Sequence, residues 1–100
     1  MLDTRQTIIN TFHDHIKNHG GGYKNWRIGV CTAEDSRTLN LPAAAETLTI
    51  QKALSVEDAT AVMAYFVYIY DVVRDQQPLV FEDCDVVYLY KVLADNPNAD

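Results

Sequence analysis

Thiols are scarce in this chain of 100 residues: Cys31 and Cys84 are its only cysteines, and they lack the CxxC spacing of a metal or redox motif. The expectation is two reduced, partly buried thiols that act as small apolar groups. Long apolar runs are missing as well. The longest, AVMAYFVYIY over residues 61–70, is about half of what a helix needs to cross a bilayer. Acidic residues flank it on both sides, which argues against an anionic membrane surface. The opening MLDTRQTIINTF has no basic start leading into an apolar stretch, so no secretory signal is expected. A soluble, cytoplasmic protein without membrane association follows as the expectation. Bases are also in short supply, with 8 Lys and Arg against 14 Asp and Glu and a net charge of −6. The deficit is uneven. Residues 1–40 hold five bases and four acids (5 − 4 = +1), whereas residues 41–100 hold three and ten (3 − 10 = −7). A polyanion would be repelled by most of such a chain, so nucleic acid is an unfavoured partner, and any anion site belongs in the first forty residues. No internal repeat, low-complexity tract or linker divides the chain, which reads as one domain over 1–100 with ADNPNAD (94–100) as a frayed tail.

What is present alternates between helix and strand. Ile8, Ile9, Phe12 and Ile16 form one stripe of a helix over 4–19, with Asp3 or Thr4 as cap and GGG (20–22) as its end. Residues 25–31 alternate as a strand, Trp26, Ile28 and Val30 on one face and Arg27, Gly29 and Cys31 on the other. TAED then opens a short helix that Pro42 closes. ETLTIQKA (46–53) reads as a second strand by its β-branched content. SVED caps the longest helix, over 56–74, with Val62, Tyr65, Phe66, Ile69 and Val73 toward the core and Met63, Val67 and Tyr70 on a second apolar face. DQQP breaks the chain, LVFEDCD is an acidic connector, and VVYLYKVL (86–93) is a third strand. The order α-β-α-β-α-β predicts an α+β domain, a small three-stranded antiparallel sheet packed with helices.

Three blocks carry a resemblance. NWRIGVCTAEDSRTL, SVEDATAVMAYFV and VVYLYK are similar to a group of small bacterial proteins that carry NWYxGIT…R, a helix of the form A-x-x-V/I-E-K-Y-F and a closing YVYxYK. RIGVCTAEDSR also resembles the second half of the GIY-YIG nuclease motif, in which an arginine follows the YIG glycine by eight residues. Gly29 and Arg37 have that separation (37 − 29 = 8). The resemblance implies a GIY-YIG-like fold and, in the enzymes, a phosphate-meeting arginine, motif tyrosines and a helical glutamate that holds a divalent metal. Carried over by position, Arg37 matches the arginine, Arg27 replaces the YIG tyrosine, and Met63 stands where the glutamate belongs. No carboxylate lies between Asp58 and Asp71, and a thioether is a poor ligand for a hard cation such as Mg²⁺. With no GIY strand ahead of RIG, VVYLYKV could take its place from the other end of the chain, putting Tyr88 or Tyr90 where the motif has a tyrosine. An ordinary third strand fits the same residues.

The anion-binding candidates are therefore Lys24, Arg27, Gly29 and Arg37. For Arg37 a competing reading is a helix-end cation paired with Glu34 or another acid; for Gly29 it is a packing concession under a helix. Tyr65, Tyr68 and Tyr70 cannot share one helical face at 100° per residue, so they are the candidates for an interaction surface. His15 and His19 sit four apart but lack a third ligand and are read as solvated; Glu82, Asp83 and Asp85 lack the glycine and spacing of a calcium loop. No metal site, cofactor or catalytic triad is expected, and no obvious nucleophile stands beside the histidines. Three functions remain. The leading one is a catalytically inactive GIY-YIG-like interaction domain with a protein partner or a second copy. The others are a weak nucleic-acid or phosphate-binding module and a metal-dependent nuclease with rearranged ligands.

Overall fold

The computed structural model describes residues 4–38, 45–75 and 83–92. Pro42, Glu82, the DQQP break after Asp75, most of the acidic connector and the tail over 94–100 lie outside them. The first helix, α1 (Arg5–Asn18), starts where Thr4 accepts a hydrogen bond from the Thr7 N–H. It buries the expected Ile8, Ile9, Phe12 and Ile16. It ends as Gly20 and Gly21 take positive φ and the Gly21 N–H returns to the Ile16 carbonyl at 2.9 Å. Glycine makes that left-handed exit without a Cβ penalty. A 3-10 turn, Tyr23–Asn25, leads into β1 (Trp26–Cys31). The Trp26 indole donates back to the Gly21 carbonyl at 3.1 Å, pinning the helix exit to the strand.

After β1 comes a single 3-10 turn, Asp35–Thr38, where the TAED capping pattern predicts a short α-helix. The Thr32 hydroxyl does cap it, accepting from the Asp35 N–H at 3.0 Å. Next follow β2 (Ala45–Lys52) and α2 (Val56–Tyr70), the latter capped by Ser55, whose side chain accepts from the Asp58 N–H. The Asp58 carboxylate turns instead to Arg5, at 2.8 Å, joining the starts of the two helices. Here the structure shortens the expected helix by four residues. Asp71 adopts the left-handed conformation with φ 61°, which an aspartate tolerates better than most residues. The β-branched pair Val72–Val73 then favours extended chain. Val73–Arg74 becomes β3, and the strand β4 (Val86–Val92) completes the fold.

The sheet order is β2-β4-β1-β3. β4 is antiparallel to both β1 and β2, while β3 runs parallel to β1, with Arg27 opposite Val73 and Ile28 opposite Arg74. The sheet is therefore four-stranded and mixed, not the three-stranded antiparallel one expected; a two-residue strand hidden in a helical pattern supplies the difference. β4 is central because it is apolar on both faces, Val86 through Tyr90 all being buried. On one face, Trp26, Ile28, Val30, Val87 and Leu89 meet both helices in the main core. On the other, Cys31, Val86, Tyr88 and Tyr90 form a second cluster. β2 bulges between Glu46 and Thr49, where Thr47 has φ 54°. The Thr47 carbonyl accepts from His15 Nε2 at 2.6 Å. His15 is thus a half-buried strut rather than a solvated side chain, and His19 turns its Nδ1 to the His15 carbonyl. No helix among the described residues is long and apolar enough to cross a membrane.

Candidate functional site

Strand register decides what happens at Gly29. In the antiparallel β1–β4 pair, Arg27 faces Tyr90, Gly29 faces Tyr88 and Cys31 faces Val86, so these side chains share the sheet face away from the helices. The Tyr88 ring lies across Gly29. A Cβ built there would stand 2.5 Å from the Tyr88 hydroxyl and 2.6 Å from Cζ. Crossing β1 in this way lets Tyr88 donate its hydroxyl to Asp75 Oδ2 at 2.5 Å, and Tyr90, stacked 6.2 Å away, reaches Oδ1 at 3.3 Å. Asp75 is positioned by β3, which it extends by donating its own N–H to the Ile28 carbonyl at 2.8 Å. Burial first, then the bond to Asp75, pushes the Tyr88 phenol far above its usual value. Burial and the Asp75 charge raise Tyr90 to about 12, against the opposing pull of Arg27. Burial, with Cys84 nearby, raises the Cys31 thiol to about 11. Phenols and thiol so perturbed stay protonated near neutrality and serve neither as bases nor as nucleophiles.

Of the four anion-binding candidates, Arg27 and Gly29 share this face. The Gly29 backbone is approached by Tyr88, not by a helix as the packing reading expects, because this face of the sheet lies away from both helices. Lys24 lies exposed on the 3-10 turn before β1. Arg37 lies exposed past the other end of the strand, and the four residues from Arg27 to Cys31 already span about 13 Å. Its guanidinium has no ion-pair partner among the described residues, so the expected pairing with Glu34 is absent; only the Arg37 N–H meets Glu34, at its carbonyl.

The three helical tyrosines divide. Tyr68 is exposed, whereas Tyr65 and Tyr70 turn toward α1 and meet a residue the sequence reading passed over, His13. His13 Nδ1 lies 2.7 Å from the Tyr23 hydroxyl and Nε2 lies 3.0 Å from the Tyr65 hydroxyl. Tyr70 stacks on Tyr23 at 4.7 Å and packs its edge against the imidazole at the same distance. Burial and then Lys17 depress the His13 pKa, opposed by Asp14. Burial raises Tyr23; a hydrogen bond with Tyr70, then burial, raises Tyr65. The result is a neutral imidazole on α1 held between protonated phenols from the 3-10 turn and α2. It floors an open depression of about 680 Å³ lined by Asn10, His13, Asp14, Lys17, Tyr23 and Tyr70. The signal was available in the sequence. His13 stands four residues after Ile9 and three before Ile16, on the edge of the buried stripe.

The core shifts accordingly. Met63 belongs to it, with Ala59, Val62 and Phe66, whereas Ile69 and Val73, expected inside, are exposed. The early helix end takes Val73 off the helix and into the edge strand β3. Among the described residues no group of three His, Cys, Asp or Glu side chains could hold a metal ion. The fold and these two side-chain clusters define a small α+β domain with a mixed sheet. Comparison with protein-family models, curated proteins and solved structures gave no match.

Proposed function

We propose that this chain is an interaction domain on a nuclease-like scaffold without a working catalytic site. The observation that carries the reading is the setting of Met63, the position at which the GIY-YIG resemblance asks for a metal-holding glutamate. Met63 is 5% exposed. With Thr60, Ala64 and Val67 it forms an apolar groove of about 250 Å³ on α2, bordered by Tyr68 and Arg74. Where a nuclease needs a carboxylate facing a phosphate, this surface has a thioether floor. Tyr68, Ile69 and Val73, exposed at 83%, 61% and 41%, add apolar area of the kind a protein partner or a second copy would cover.

On this reading the pairing of β4 with β1 sets Tyr88 beside Gly29, where a permuted motif would have its tyrosine; an ordinary third strand would pair in the same way. Catalytic use of that face is disfavoured by Asp75. It takes both tyrosine hydroxyls, and its charge opposes a phosphate. Single- and double-stranded DNA and RNA, incubated with the protein and Mg²⁺ or Mn²⁺, should show no cleavage above buffer. Turnover abolished by Arg37→Ala would overturn the reading. In light scattering over a concentration series or with a captured partner, Tyr68→Glu should abolish the association.

A further inference from the structure

The depression over His13 shares no lining residue with the Tyr68 groove and is built differently. At 100° per residue, His13, Lys17, Asn10 and Asp14 fall within an arc of about 100° on α1, and Tyr23 and Tyr70 close the remaining side. Its floor is organised before any ligand arrives. Both His13 nitrogens are committed to phenols, and the Tyr23–Tyr70 stack is held 4.7 Å apart with an interplanar angle of 23°. The rim is not so committed. Lys17 and Asp14 bear opposite charges less than one helical turn apart, and neither has an ion-pair partner among the described residues. The Asn10 side-chain oxygen accepts from Gln6 at 3.0 Å, and Asn10 lines the depression. A volume of about 680 Å³ is within the usual range for small-molecule sites.

These features together select a ligand. An anion alone would meet Asp14, and a cation alone would meet Lys17. A molecule with both charges on one carbon satisfies both, and a flat ring attached to it finds the outer surface of the tyrosine pair, where offset aromatic contact is favourable. We propose that the depression binds a small zwitterion with a flat side chain, an aromatic α-amino acid, its carboxylate on Lys17 and Tyr23 and its ammonium on Asp14. The site is independent of the Met63 groove, so it stands whether or not the interaction reading holds.

The test is a titration of the ¹⁵N-labelled protein with L-phenylalanine, followed by amide shifts of residues 10–23 and by the His13 ring signals. Two analogues accompany it, phenylpropionate without the ammonium and phenethylamine without the carboxylate. Saturable shifts confined to the depression are expected with phenylalanine. Each analogue should bind about tenfold more weakly, the loss of one charge-assisted hydrogen bond. Lys17→Gln and Asp14→Asn, both on the exposed rim, should each weaken phenylalanine to a similar degree. The proposal is overturned if phenylalanine gives no saturable shift at 10 mM (about 2.7 kcal/mol of binding free energy). It is equally overturned if either single-charge analogue binds as well as phenylalanine, or if neither rim substitution matters.

Discussion

Replacing Gly29 by alanine adds one methyl group at the most crowded backbone position of β1. The new Cβ would lie 2.5 Å, 2.6 Å and 3.0 Å from the Tyr88 hydroxyl, Cζ and Cε2, so the ring must shift by about 1 Å to restore ordinary contact distances near 3.5 Å. Tyr88 is 1% exposed and has only two side-chain torsions with which to move. Overpacking of this kind costs about 1–3 kcal/mol. Displacing the ring also breaks its hydrogen bond to the Asp75 carboxylate, worth about 1.5–3 kcal/mol for a charged acceptor and placed at the low end because Asp75 is half-exposed. Alanine recovers about 0.5–1 kcal/mol of chain entropy relative to glycine. The expected net loss is about 3 kcal/mol, a large share of the roughly 5–15 kcal/mol that holds a domain of this size together.

Trp26 is the only tryptophan and is fully buried, so its fluorescence reports urea unfolding directly. The same substitution should be repeated in a Tyr88→Leu background, where no ring crosses the strand. There Gly29→Ala should be neutral or stabilising by up to about 1 kcal/mol. The coupling between the two sites, near 3 kcal/mol, is the quantity predicted. A loss below about 0.5 kcal/mol in the native background would refute the account, as would an equal loss in both backgrounds.

Further substitutions probe other parts of the fold. Met63→Glu puts the residue the resemblance asks for at a position only 5% exposed; urea curves at neutral pH should show a loss of at least about 2 kcal/mol, and Mg²⁺-dependent cleavage should not appear. His13 has a folded pKa below its ordinary 6.5, so as pH falls below about 6.5 the unfolded chain takes up the proton first and stability drops. The slope for this one proton is at most about 1.4 kcal/mol per pH unit, and His13→Gln should remove that part of the pH dependence between about pH 5 and 7 in the same assay. Thr47 holds a β-branched side chain at φ 54°, a strain of about 1–2 kcal/mol. Thr47→Gly should therefore leave the melting temperature unchanged or raise it, once the entropy of the added glycine is subtracted.

Periodicity made much of the fold legible. Alternation from Trp26 to Cys31 reads correctly because that strand has one face in the main core and one in the smaller cluster, and the Ile8–Ile16 stripe reads correctly because α1 buries a single side. Periodicity fails at residues 69–74. Ile69 and Val73 continue the spacing of Val62 and Phe66, so pattern alone extends the helix. What stops it is a left-handed Asp71, whose backbone N–H bonds to the Phe66 carbonyl, and a backbone conformation leaves little trace in residue type. The site was less legible than the fold for a related reason. The phenol–carboxylate contact joins residues 13 apart in sequence and the His13–Tyr65 contact residues 52 apart; neither follows from local spacing.

Asp75 shows how one local event at the end of α2 organises the far side of the sheet. Had the helix run on to residue 74, Asp75 would have been a helix-end carboxylate in water. Because Asp71 turns the chain, Val73 and Arg74 pair with Arg27 and Ile28, and the next N–H reaches the Ile28 carbonyl. That places a carboxylate beside the one residue of β1 without a side chain. Tyr88, on the next strand, can then lie flat across Gly29 and meet it. A side chain at position 29 would block the crossing, and a longer helix would remove its destination. Gly29 is thus explained by an internal aromatic crossing, and the same crossing fills this part of the face of the sheet away from the helices.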